Sequence, residues 1–219
     1  MLLTGAIRAR YHRLAMAASM GERLSPEATR VLVVCTANQS RSPMAEVLMR
    51  RRHEAVGAAA SVASAGSRRG GEPPSSGSVR AMARRGLDLS GHRSRELTAN
   101  DLAGADLVLC MARRHCREVV VLHPPAWPRT FTLRELVRRG EAAGQRQPGQ
   151  TLDEWLGVLG VGRVRAALLA EDDDDDVADP IGGPDSAYEA TAVLLERLVD
   201  RVVELTFPQS PSTEPGSNG

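Results

Sequence analysis

The sequence contains no lysine, so all 28 of its cationic residues are arginine, against 27 acidic ones. A formal charge of +1 gives no sign of the concentrated basic surface a nucleic-acid binder uses. Abundant Arg beside abundant Ala, Gly and Pro reads as coding bias, because electrostatic steering needs clustered charge. Aromatic residues make up only 3% of the chain, so Leu, Val, Ala and Met must fill the interior. No apolar run approaches the roughly 20 residues of a membrane span. The opening segment MLLTGAIRARYHRLAMAASMG is interrupted by Arg8, Arg10 and Arg13, which is unlike the continuous apolar core of a secretory signal. Cysteine is scarce and odd in number, at three. That argues against a disulfide framework and makes a reducing cytoplasm the expected location. The five histidines fall into no triad or ligand spacing, and the acidic run Asp172–Asp176 has no histidine partners. Neither a metal site nor a cofactor is therefore expected.

What is present reads as one α/β domain. Residues 1–29 form a leader of partly helical character, residues 30–207 the domain, and residues 208–219 a polar tail without apolar periodicity, expected to be disordered. RVLVVC, SVASAG and ADLVLCM are short apolar runs suited to buried strands, and RTFTL is a weaker fourth. Between them lie helical stretches: PMAEVLMRRRHEAV with Pro43 at its first position, SVRAMARRG stopped at Gly86, and RRHCREVVVL. Residues 133–170 read as helices broken by GQRQPGQ, and PDSAYEATAVLLERLVDRVVEL as a long amphipathic helix. Alternating strands and helices imply a doubly wound parallel sheet with helices on both faces. Sites in such sheets lie beyond the carboxyl ends of the strands, which is where Cys35 falls.

The segment from Cys35 through Thr36, Ala37, Asn38, Gln39, Ser40 and Arg41 to Ser42 and Pro43 joins a strand to a helix. A loop entering a helix turns free backbone N–H groups toward one point and makes an anion cradle. Arg41 adds a planar fork that matches two phosphate oxygens. The same positive field favours the thiolate of a cysteine at the loop's start. Ser42 is placed to hydrogen-bond that thiolate, and Asn38 to brace the loop from within. The spacing of Cys, Arg and Ser is weak evidence alone; its position between a buried strand and a helix removes most accidental matches.

On these residues the chain resembles the low-molecular-weight protein tyrosine phosphatases, whose loop is usually written V-C-x-G-N-x-C-R-S-P. The similarity extends through SAGS, Pro73-Pro74, LVLCM and Asp179-Pro180, over about residues 31–205. It implies a four-stranded parallel sheet, with Cys35 as nucleophile, Arg41 as phosphate ligand and Asp179 as general acid. Chemistry alone asks for a carboxylic acid on a loop to protonate the leaving oxygen, and Asp172–Asp176 compete for that role; only the Asp-Pro resemblance favours Asp179. Pro180 restrains the backbone of Asp179 to an extended form.

Several departures from the family bear on substrate. Ser40 replaces a common second cysteine. Arg68 stands where the family places an aromatic wall, and Ile181-Gly182-Gly183 where animal members carry tyrosines. Arg85 replaces a histidine that braces the loop. Arg68 and Ile181 are accordingly candidate substrate-wall residues, with a solvated surface arginine as the plain alternative for Arg68. The expected function is phosphate-monoester hydrolysis through a phosphocysteine. The expected partner is a phosphotyrosine protein or a small phosphorylated metabolite, such as a nucleotide or biosynthetic intermediate, with neither nucleic acid nor membrane involved. Arsenate reduction relayed through Cys110 and Cys116, and phosphopeptide binding without turnover, are weaker alternatives.

Overall fold

The computed structural model describes residues 28–169 and 174–207. The expectations for most of the leader, for the tail and for Glu171–Asp173 lie outside those residues. Four strands, β1 (Thr29–Cys35), β2 (Ala60–Gly66), β3 (Leu107–Cys110) and β4 (Thr130–Thr132), form one parallel sheet in the order β2-β1-β3-β4. Between and after them run α1 (Arg41–Val56), α2 (Ser76–Ala83), α3 (Ala99–Gly104), α4 (Arg113–Leu122), α5 (Leu133–Ala143), α6 (Leu152–Leu159) and α7 (Asp185–Thr206). The fold class matches the expectation, including the four strands.

Two differences have clear causes. Helix α1 begins at Arg41, two residues before Pro43. Proline is tolerated there because the N–H it lacks belongs to the first turn, whose N–H groups have no intrahelical partner anyway. The short α3, not anticipated, is nucleated by a capping box in which Thr98 and Asp101 exchange side-chain and backbone bonds. Its Thr-x-x-Asp signature was present in the sequence.

The strands alternate their side chains between two cores. Val31, Val33 and Cys35 face a layer with Met44 and Leu48 of α1 and Val199 of α7. Leu32, Val34 and Cys110 face the other, against Leu102 of α3 and Cys116 and Val119 of α4. Cys35 and Cys110 therefore lie on opposite sides of the sheet, as period-two alternation requires. That separation counts against a relay between them.

Arginine stitches the helices. Arg85, two residues past the end of α2, bonds Glu189 at 2.6 Å and Glu196 at 2.7 Å on α7, and the Ala81 carbonyl of α2 at 3.0 Å. Its planar fork holds two carboxylates where an ammonium offers one point of charge. The described end of the acidic run is less solvated than its composition suggests. Asp175 is buried and paired with Arg138 at 2.6 Å, and Asp176 accepts the backbone N–H of Arg113 at 2.7 Å. No helix among the described residues is long and apolar enough to cross a membrane.

His53 of α1 is buried edge-on against Phe207, ring centroids 4.7 Å apart, and neither ring nitrogen has a hydrogen-bond partner among the described residues. Burial pushes its pKa down to about 4. The unfolded chain takes up a proton near 6.5, so the folded state loses ground as pH falls from that value toward about 4. The loss should be on the order of 2–3 kcal/mol. Melting curves from pH 7 to 4.5 should show His53→Leu with a shallower decline in Tm than the wild type. Parallel declines would contradict this.

Candidate active site

Cys35 is the last residue of β1, and the loop from Thr36 to Ser40 carries the chain to α1. Neighbouring backbone ties the loop's carbonyls outward. Ser67 N–H donates to the Cys35 carbonyl at 3.2 Å, Arg68 N–H to that of Thr36 at 3.1 Å, and Ser75 N–H to that of Gln39 at 2.8 Å. The backbone N–H groups of Ala37, Asn38, Gln39 and Ser40 donate to no acceptor among the described residues. N–H groups at a loop entering a helix are donors suited to an anion.

Asn38 holds this geometry. It is buried and has φ 53°, the one described non-glycine residue with a positive φ. Its Nδ2 donates to Ser42 Oγ at 2.9 Å and Ser64 Oγ at 2.8 Å, and its Oδ1 accepts Arg95 N–H at 3.0 Å. His92 Nε2 donates to its carbonyl at 2.8 Å. Because Ser42 Oγ already accepts from Asn38, its own proton is available to Cys35 Sγ, 3.0 Å away. That is an orientation suited to a thiolate. Ser40, in the position of the family's second cysteine, is buried and accepts from Ser78 Oγ at 2.9 Å.

Arg41 is 2% exposed. Its Nη1 donates to the Val177 carbonyl at 3.1 Å, and its Nη2 to Asp179 Oδ2 at 2.5 Å and Thr36 Oγ1 at 3.3 Å. Burial lowers the Arg41 pKa, while Asp179 and Cys35 oppose that shift; a guanidinium stays charged regardless. Pro180 is buried and anchors the segment, leaving the Asp179 side chain 35% exposed beside Arg41. Among the described carboxylates only Asp179 is bonded to Arg41; Asp175 and Asp176 are engaged elsewhere.

The wall candidates are more loosely placed. Arg68 is exposed, with its backbone on the phosphate loop and its side chain free of any ion pair among the described residues. Ile181 is 45% exposed, and its N–H donates to Asp179 Oδ1 at 3.3 Å. Ala37 and Gln39 lie partly exposed on the loop.

Several site residues escaped the sequence reading. His92 and Arg95 reach Asn38 from more than fifty positions away, a separation that no local pattern reveals. Arg85, expected to alter a loop brace, instead binds α7, while His92 makes a bond to the loop. At the start of α4, His115 is fully buried, and Thr36 Oγ1 lies 2.9 Å from its Nε2. Arg114 Nη2 donates to the same Thr36 oxygen at 2.9 Å. Burial, reinforced by the charges of Arg41 and Arg114, pushes the His115 pKa down to about 3. The ring is therefore neutral, and Nε2 accepts the Thr36 hydroxyl proton. No group of three metal-ligating side chains occurs among the described residues.

Comparison with known proteins places this geometry in context. The family model described as low molecular weight phosphotyrosine protein phosphatase matches residues 30–148. A probable low molecular weight protein-tyrosine-phosphatase, EpsP of Ralstonia nicotianae, is 35% identical over 130 residues, covering 59% of this chain and 87% of that protein. A protein-arginine-phosphatase of Geobacillus stearothermophilus is 30% identical over 178 residues, covering 80% and 94%. The solved low molecular weight protein tyrosine phosphatase from T. tengcongensis superposes with a TM-score of 0.62 at 34% identity, covering 81% of this chain and 99% of that one.

Gly66, at the end of β2, is where the cradle has no room. A Cβ there would stand 2.7 Å from the Thr36 carbonyl oxygen and 2.8 Å from the Asn38 nitrogen, both backbone atoms. Gly66→Ala should displace the loop, destabilise the protein by about 1–3 kcal/mol and lower kcat/KM by at least about tenfold, since a small misplacement of catalytic groups is costly. Full activity in a variant of unchanged Tm would show that the loop does not depend on this close approach.

Proposed function

The chain belongs to the low molecular weight phosphotyrosine protein phosphatase family, and from that premise we propose that it hydrolyses phosphotyrosine on proteins with Cys35 as nucleophile, Arg41 as phosphate ligand and Asp179 as general acid. The observation that carries this reading is the meeting of Cys35, Arg41 and Asp179 around one anion cradle. A phosphate dianion entering the cradle takes the hydrogen bonds of the loop N–H groups and of Arg41, displacing Asp179 from Arg41 Nη2. The Cys35 thiolate attacks phosphorus in line, forming the S–P bond as the P–O bond to the leaving group breaks. Asp179, freed from Arg41 and set beside the phosphate dianion, takes up a proton from solvent and gives it to the departing oxygen. Its carboxylate then takes a proton from water as the water oxygen attacks phosphorus, releasing inorganic phosphate and the thiolate. The Ser42 hydroxyl stabilises the thiolate before attack and after release. The N–H groups and Arg41 hold the equatorial oxygens throughout, and such preorganised donors are a large source of transition-state stabilisation.

A second reading keeps the chemistry and changes the substrate to a small anionic phosphate ester. Arg68 favours it, because a guanidinium with no ion pair among the described residues stands where the family resemblance implies an aromatic wall. A reducing, cytoplasmic setting suits either substrate, supported by three free cysteines, all buried.

Cys35→Ser should abolish turnover while retaining vanadate binding, because the cradle and Arg41 remain; measurable turnover in the purified variant would remove Cys35 from the mechanism. Asp179→Asn should slow alkyl and unactivated aryl phosphates by about 10²–10⁴-fold, and para-nitrophenyl phosphate much less, because an acidic leaving group needs little protonation. Equal slowing of both substrate types would place the acid elsewhere.

A further inference from the structure

A second guanidinium, which the reaction does not use, reaches the phosphate loop from α4. Arg114 is the second residue of α4, exposed to solvent, yet its Nη2 is fixed 2.9 Å from Thr36 Oγ1. Arg41 Nη2 lies 3.3 Å from that same oxygen, so two guanidinium groups converge on one hydroxyl at the edge of the cradle. Their mutual repulsion is among the influences that lower the Arg41 pKa. Nothing among the described residues compensates Arg114: it makes no ion pair with a described carboxylate, and its other contact is a 3.4 Å approach of Nε to His115 Nε2. His115 is neutral, so it adds no charge of either sign. The carboxylates nearby are committed, Asp179 to Arg41 and Asp176 to the Arg113 backbone.

We infer that Arg114 is a specificity-determining residue that selects phosphotyrosine flanked by acidic side chains and rejects phosphoarginine. This rests on the phosphotyrosine reading above and narrows it. When substrate phosphate displaces Asp179, the phosphate engages Arg41 and the loop, leaving Arg114 as a positive charge on the rim that no described carboxylate compensates. A glutamate or aspartate beside the phosphotyrosine meets that charge with a geometry a guanidinium can grip through two donors. The remaining nitrogens of a phosphoarginine guanidinium carry positive character and would approach Arg114 with like charge. For rim charges a few ångströms apart, such contrasts amount to roughly three- to tenfold in rate.

The test compares kcat/KM on three peptides of one length: phosphotyrosine between glutamates, phosphotyrosine between serines, and phosphoarginine between serines. Wild type, Arg114→Gln and Arg114→Glu are assayed as the full chain; the site is exposed, and Tm measurements verify folding. The wild type should prefer the acidic phosphotyrosine peptide over the serine one by about three- to tenfold at low salt. That preference should shrink toward unity between about 50 mM and about 500 mM salt. Arg114→Gln should remove most of it, and Arg114→Glu should reverse it while raising phosphoarginine hydrolysis relative to the serine-flanked phosphotyrosine. The same peptide preference in all three proteins overturns the inference. So does an equal loss on every peptide, which would mean that Arg114 merely positions Thr36. A wild type faster on phosphoarginine than on phosphotyrosine overturns it while leaving the phosphatase chemistry intact. A wild type inert on every phosphopeptide but active on small esters refutes the phosphoprotein reading beneath it.

Discussion

Everything at this site depends on one buried side chain, Asn38, holding the backbone in a left-handed conformation. Backbone N–H groups that all face one point repel one another, and without a brace a loop of this kind relaxes by turning some of them away. Asparagine tolerates positive φ better than most residues, though a non-glycine residue there still costs on the order of 1 kcal/mol. The cost is offset by bonds of the Asn38 side chain to Ser42, Ser64 and the Arg95 backbone, with His92 on its carbonyl. Those partners come from α1, β2 and the segment before α3, so the cradle is set by the packing of the whole domain. The same bond that braces the loop orients Ser42 toward Cys35, which links loop geometry to nucleophile chemistry through one hydroxyl.

The second dependence is electrostatic. Arg41 is almost fully buried, and an isolated buried charge is expensive. The 2.5 Å contact with Asp179 compensates it in the absence of substrate, and a phosphate dianion would compensate it more fully. In the proposed mechanism, exchange of one anion for the other releases Asp179 from its salt bridge where a leaving oxygen needs a proton. Arg114 sits outside this exchange and keeps its charge in both states, which makes it suited to discriminating between substrates and unsuited to serving the chemistry itself.

Much of this arrangement was legible in the sequence because it is local. Strand, loop and helix from β1 to α1 are contiguous, and the periodicity of each element survives in the structure to within a few residues. Cys35, Asn38, Arg41 and Ser42 lie within eight consecutive residues, so their spacing carries their geometry. The expectation for Asp179 rested only on its Asp-Pro resemblance, since five neighbouring aspartates offer the same chemistry. What stayed hidden depends on register and distance. His92, Arg95, Arg114 and His115 reach the loop across the fold, and nothing in the residues around them marks a partner so far away. The two cores behave likewise: Cys35 and Cys110 both end strands, and only the pairing of β1 with β3 shows that they face opposite ways.

The central claim is that phosphoryl transfer passes through a covalent bond to Cys35. Acid quenching during turnover of a slowly dephosphorylating substrate, followed by peptide mass analysis at a pH where phosphocysteine survives, tests it most directly. The account predicts one added phosphoryl group on the peptide that begins at Val31 and carries Cys35, accumulating further in Asp179→Asn where water attack is impaired. Turnover with no labelled peptide in either protein, together with phosphate release showing inversion at phosphorus, would contradict it.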